Sequence, residues 1–180
     1  VLARLGFENS YALAMRRDRA ESAGIQRIGD LGRIAAASTV GGDYEFFARP
    51  EWASIVQTYG LEFGQQRSMD PSLMYQAVAR GAVDVIGAFS TDGRILAYDL
   101  VALEDDRGAI PPYDAIVLAG PSLVAGHPEV VEALRSLEHA ISAQQMREMN
   151  LAVDLDQRLP AEVARAFEPA PASPERGTVR

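Results

Sequence analysis

The order of apolar patterns along the chain predicts an α/β fold, and three observations carry that expectation. The run Tyr11–Arg16 (YALAMR) alternates larger and smaller side chains, as a strand does. Residues 83–89 (VDVIGAF) form an apolar, β-branched run suited to a buried strand. Between them lie segments with apolar residues at helical spacing, opened by proline and closed by glycine.

Taken in order, the strand at 11–16 leads into a short polar helix at 18–22, and a second helix is expected at 28–36. Gly41 and Gly42 read as a turn. Pro50 suits the first turn of a helix, Trp52, Ile55 and Val56 recur at helical spacing, and Gly60 ends that helix. Asp70 ahead of Pro71 pairs a capping side chain with proline at the first helical position, and Gly81 stops the helix that follows. Helix, glycine and the strand at 83–89 make half of a βαβ unit. A turn into one short helix follows at 91–97, then strands at 100–103 and 115–118. Helices are expected at 128–141, 143–151 and 160–167, the first with Val130, Val131, Leu134, Leu137 and Ile141 on one face. From Glu168 onward the proline- and alanine-rich tail lacks apolar periodicity, so 169–180 is expected to be disordered.

Composition narrows the function. A net charge of −8 and no basic stripe beyond the cluster Arg16, Arg17 and Arg19 argue against nucleic acid as a partner. All seventeen basic residues are arginine, so no lysine can serve as a Schiff base or phosphate clamp. Cysteine is absent, which removes disulfides and thiolate chemistry. The start VLARLGFENS is not a signal peptide, and no stretch matches the length of an apolar membrane span.

Catalytic constellations are lacking. His127 and His139 stand too far apart for a helical metal pair, so both read as helix-start or surface residues and no metal or cofactor is implied. The acidic run Glu104, Asp105, Asp106 reads as a solvated turn. No nucleophile elbow, phosphate loop or dinucleotide fingerprint occurs. Aromatic residues are more informative: Tyr11 begins a strand, Phe89 ends one, and Tyr113 follows Pro111 and Pro112 in a loop. Strand ends and connecting loops are where an α/β fold presents side chains to a cleft.

The segment LGFENSYALAMRRD resembles a corresponding stretch of the glycine betaine, carnitine and choline binding proteins of osmoprotectant ABC importers. GGDYEFFARPEWASIVQTYGLEF, SMDPSLMYQAVARGAVDVIGAFSTDGRI and AYDLVALEDDRGAIPPYDA agree in the same order, and HPEVVEALRSL and AVDLD more loosely, covering residues 4–168. The resemblance implies a two-lobed fold of the type II periplasmic-binding class, located outside the cytoplasm, anchored to the membrane or joined to a permease. Relatives of this kind carry a further segment ahead of the stretch seen here. On that basis 8–95 would be the second lobe and 96–168 the C-terminal portion of the first.

Such proteins hold a quaternary ammonium in a box of aromatic rings and meet a ligand carboxylate with arginine. By position, Tyr11, Phe89 and Tyr113 correspond to the box and Arg49 to the carboxylate contact. The implied partners are a quaternary ammonium solute and an ABC permease, and ligand capture involves no catalysis. A trimethylammonium group has no N–H to donate, so aromatic faces suit it, while a forked guanidinium suits a carboxylate. Phe89 stands where many relatives have tyrosine and Ser10 where threonine is common. Rival readings are a ligand-sensing domain of a regulator with this fold, a binder of another trimethylammonium solute such as ergothioneine, and an enzyme on the same scaffold.

Overall fold

Strand β2 (Tyr11–Arg16) is the middle of the architecture, paired on one side with β5 (Val85–Phe89) and on the other with β6 (Leu100–Ala102), both antiparallel. A computed structural model of the chain describes residues 1–167, so the expected tail at 169–180 lies outside the described residues. β5 continues the sheet to β3 (Thr39–Gly42) and β4 (Gln65–Ser68) through parallel pairings, giving the order β4-β3-β5-β2-β6. Two crossovers link the parallel strands: α2 (Pro50–Tyr59) between β3 and β4, and α3 (Pro71–Ala79) between β4 and β5. The βαβ reading of the 70–89 region therefore holds, and the fold is α/β as expected.

Both faces of this sheet are covered, which explains why β2 reads as nearly continuous apolar sequence. Leu13, Met15, Val40 and Val85 pack with Phe46, Trp52, Ile55 and Tyr59 on one face. Ala14, Ile86 and Ala88 pack with Met74, Tyr75 and Val78 of α3 and with Ile95 of α4 (Arg94–Ala97) on the other. On the first face Phe46 lies flat against the sheet because Gly42 and Gly87 leave room: a Cβ on Gly87 would stand 2.5 Å from the Phe46 ring.

A second, smaller sheet joins β1 (Ala3–Glu8) to β7 (Asp114–Val117). Around it lie α5 (Pro121–Gly126), α6 (Pro128–Arg135), α7 (Ala143–Asp154) and α8 (Pro160–Arg165). The two parts meet where α4 packs on α7. Gly93, just before α4, lies so close to the α7 backbone that a Cβ there would be 2.4 Å from the Leu151 nitrogen. Arg147 Nε donates to the Ser90 carbonyl at 2.6 Å and Asn150 Nδ2 to the Thr91 carbonyl at 2.8 Å. None of the described helices is long and apolar enough to cross a membrane.

Several expectations need correction. Residues 28–36 form 3₁₀ turns at Ile28–Arg33 and Ala35–Ala37 rather than an α-helix, since Gly29 and Gly32 weaken helix propensity. Gly41 and Gly42 belong to β3 and are not a turn. The helix expected at 128–141 ends at Arg135, because the His139 and Ile141 amides donate to the Arg4 and Leu5 carbonyls of β1 instead of continuing the helix. β1, β4 and α5 had no assignment from pattern.

The acidic run is also more than a solvated turn. Asp105 accepts from the Tyr59 hydroxyl at 2.6 Å and from the Ala109 and Ile110 amides at 3.0 and 2.7 Å. Although partial burial opposes it, these donors hold the Asp105 carboxyl below the usual carboxylate range. A depressed folded pKa means that the stabilisation is present above the unfolded value near 4 and is lost as pH falls through the folded one. Asp105→Asn is therefore expected to be less stable than wild type at pH 7, with the gap closing as pH drops below about 4. Denaturant unfolding of both proteins across that range checks it; a gap independent of pH would mean that the charge is not what holds the turn.

Candidate functional site

The register of β2 and β5 builds the first wall of the site. Tyr11 and Phe89 are direct cross-strand partners at the strand ends, and their rings stack with centroids 5.0 Å apart and planes 29° from parallel. Rings this close leave no space between them, so they present one combined aromatic wall. Phe46 supports it from the core, 5.2 Å from the Tyr11 ring, and is itself backed by Trp52 at 5.2 Å. Burial pushes the Tyr11 hydroxyl pKa up, Asp43 adds to the shift, and Arg49 opposes it.

Tyr113 comes from the loop ahead of β7 and adds a third ring at the same cavity. Its hydroxyl donates to Glu51 Oε1 at 2.7 Å, and its carbonyl accepts from the Asn9 amide at 3.2 Å. That loop is thereby tied to the start of α2. Arg49 is the N-cap residue of α2; its Nη2 lies 2.5 Å from Glu45 Oε2, both side chains being largely exposed. Below the wall, the Ser90 hydroxyl donates to the Glu8 carbonyl at 2.7 Å, the Ser10 amide donates to Ser90 Oγ at 3.0 Å, and Thr91 Oγ1 pairs with Asn9 Oδ1 at 2.9 Å. These bonds fix the N-S-Y and S-T-D strings against each other at the strand ends.

The structure brings all four expected residues together. Tyr11, Arg49, Phe89 and Tyr113 line one cavity of about 200 Å³, with Asn9, Ser10 and Glu51 completing it. Glu51 was missed by sequence reading. An acidic residue one place after proline at a helix start reads as a surface group favoured by the helix dipole, and nothing in the local pattern marks it as buried.

Chemically, the cavity offers three aromatic rings, one guanidinium and one carboxylate. The arrangement can hold a cation against ring faces and a carboxylate against Arg49. Among the described residues no group of three or more metal-ligating side chains occurs.

The family described as the substrate binding domain of ABC-type glycine betaine transport systems matches residues 1–168. A carnitine transport binding protein of Listeria monocytogenes is 32% identical over 164 residues, covering 90% of this chain and 53% of that protein. An ergothioneine transport permease/ergothioneine binding protein of Helicobacter pylori is 28% identical, covering 91% of this chain and 30% of that protein. The crystal structure of a glycine betaine/carnitine/choline ABC transporter superposes with a TM-score of 0.86 at 33% identity, covering 91% of this chain and 60% of the other. The chain thus spans about half the length of the carnitine-binding relative.

Proposed function

This chain belongs to the family of substrate-binding domains of ABC-type glycine betaine transport systems, and from that premise we propose that it forms the ligand-capturing part of an importer for quaternary ammonium solutes. The observation that carries the reading is the convergence of Tyr11, Phe89, Tyr113 and Arg49 on a single cavity. Rings hold the trimethylammonium by cation–π attraction, and Arg49 takes a ligand carboxylate where there is one.

The lobes are assigned as follows. Residues 8–95 form the second lobe, with β6 completing its sheet, and 96–168 contribute the C-terminal portion of the first, from which Tyr113 reaches the cavity. At about 200 Å³ the cavity is smaller than the ~300–1,000 Å³ of ordinary ligand pockets. That size fits a half-cleft completed by the remainder of the first lobe. Capture then proceeds by closure of two lobes over the solute and delivery to a permease outside the cytoplasm, without covalent chemistry.

Calorimetric titration of the two-lobed protein with glycine betaine, choline and carnitine tests the reading, and absence of heat with all three would end it. Phe89 supplies the residue-level check. Its ring is half-buried and stacked on Tyr11 at the cavity, so Phe89→Tyr is expected to keep or modestly strengthen binding, and Phe89→Ala to cost about 0.5–2 kcal/mol of affinity. Unfolding measured on the same variants separates this from packing. A stability loss of about 3–5 kcal/mol with unchanged affinity would place Phe89 in the core alone.

A further inference from the structure

Aromatic faces and a guanidinium do not account for the carboxylate in the cavity. Glu51 is only 5% exposed. Its Oε1 is taken by the Tyr113 hydroxyl, but Oε2 is buried with no hydrogen-bond partner among the described residues. The Tyr113 hydroxyl holds the carboxyl below its usual range, so it is an anion at neutral pH. Asp43, the other buried carboxylate close by, is already engaged: its Oδ1 accepts from the Glu45 and Phe46 amides, both at 2.8 Å. A buried anionic oxygen without a donor is an unfavourable arrangement that persists where another molecule supplies the donor.

Building on the aromatic-box reading above, we propose that Glu51 is a specificity-determining residue, favouring a quaternary ammonium ligand that carries an O–H or N–H donor over one that has none. The quaternary nitrogen itself cannot fill Oε2, because it bears no hydrogen. It feels the Glu51 charge but leaves the acceptor empty. A hydroxyl or ring N–H elsewhere on the ligand fills it with a charge-assisted bond, the stronger class of hydrogen bond. Glu51 lines the same cavity as the rings, and a shift of the largely exposed Tyr113 side chain opens its carboxylate to a ligand seated there. Arg49 and Glu51 then form two opposite poles, the first reading a ligand carboxylate and the second a ligand donor.

The test is calorimetric titration of the two-lobed protein with choline, with ethyltrimethylammonium, which is choline without its hydroxyl, and with glycine betaine, which has no donor. Wild type is expected to bind choline about tenfold or more tighter than ethyltrimethylammonium. Glu51→Gln should weaken choline by about tenfold or more and glycine betaine by less than about threefold, and Glu51→Asp, which restores the charge, should recover part of the loss. Choline no tighter than ethyltrimethylammonium in wild type, or equal losses of choline and betaine in Glu51→Gln, overturns the role of Glu51 while the aromatic box stands. Wild type that binds none of the three overturns the box reading and this inference with it. If Glu51→Gln fails to fold, the wild-type ratio of choline to ethyltrimethylammonium still decides.

Discussion

Phe46→Ala is expected to destabilise the protein by about 3–5 kcal/mol, the largest stability effect predicted for any residue near the site. The ring is fully buried, lies over Gly42 and Gly87, and touches the rings of Tyr11, Phe47 and Trp52. Truncation leaves a void that the sheet cannot close, because the two glycines beneath it bring no side chains to move in. Tyr11 would lose its support as well, so affinity should fall along with stability. Gly87→Ala gives the converse strain: a methyl 2.5 Å from the ring forces Phe46 off its seat, at a cost of about 1–3 kcal/mol. Denaturant unfolding of both variants checks these values. A loss below about 1 kcal/mol for Phe46→Ala would mean that the aromatic stack repacks freely.

Arg49→Ala should have the largest effect on affinity, and only for ligands with a carboxylate. In the two-lobed protein glycine betaine is expected to weaken roughly 30-fold to several hundredfold, the scale of removing one partner of a desolvated charge pair, while choline changes by less than about threefold. The present partner of Arg49 does not oppose this. Its contact with Glu45 joins two largely exposed side chains, and such surface pairs contribute little net energy, so a ligand carboxylate displaces Glu45 at small cost. Hydrogen bonding to Glu45 favours the charged guanidinium further, so the effect should not vary with pH across the neutral range. Titration of both solutes against wild type and variant reads the result directly. Equal weakening of both would remove Arg49 from carboxylate recognition.

The parts of the fold legible in the sequence are those where local pattern and tertiary role coincide. β2 and β5 are buried on both faces and read as apolar runs, and α2 and α3 carry proline at their first position. Asp70 also caps α3 as expected, accepting from the Ser72 amide at 2.8 Å. What escaped was structure made by partners distant in sequence. β4 (QQRS) is exposed throughout and is a strand only because β3 lies beside it. β3 contains two glycines that look like a turn until Phe46 is placed over the second. At the site, ring residues at strand ends could be recognised by position, whereas the burial of Glu51 depends on Tyr113 arriving from 62 residues away.

The close approach of Gly93 to α7 has a mechanical consequence. With no Cβ at 93, the α7 backbone sits directly on the segment after β5, and Arg147 and Asn150 bolt it to Ser90 and Thr91. Sliding α7 along the sheet would break both bonds and lose that packing together. The helix therefore ties the five-stranded sheet to the smaller one, since it also packs on β1. Movement of one sheet against the other would have to break this tie together with the bonds that Asn9 and Ser10 make to the same Thr91 and Ser90. Tyr11 follows directly on Ser10 and Phe89 directly precedes Ser90, so the clamp that joins the two sheets also sets the position of the stacked rings.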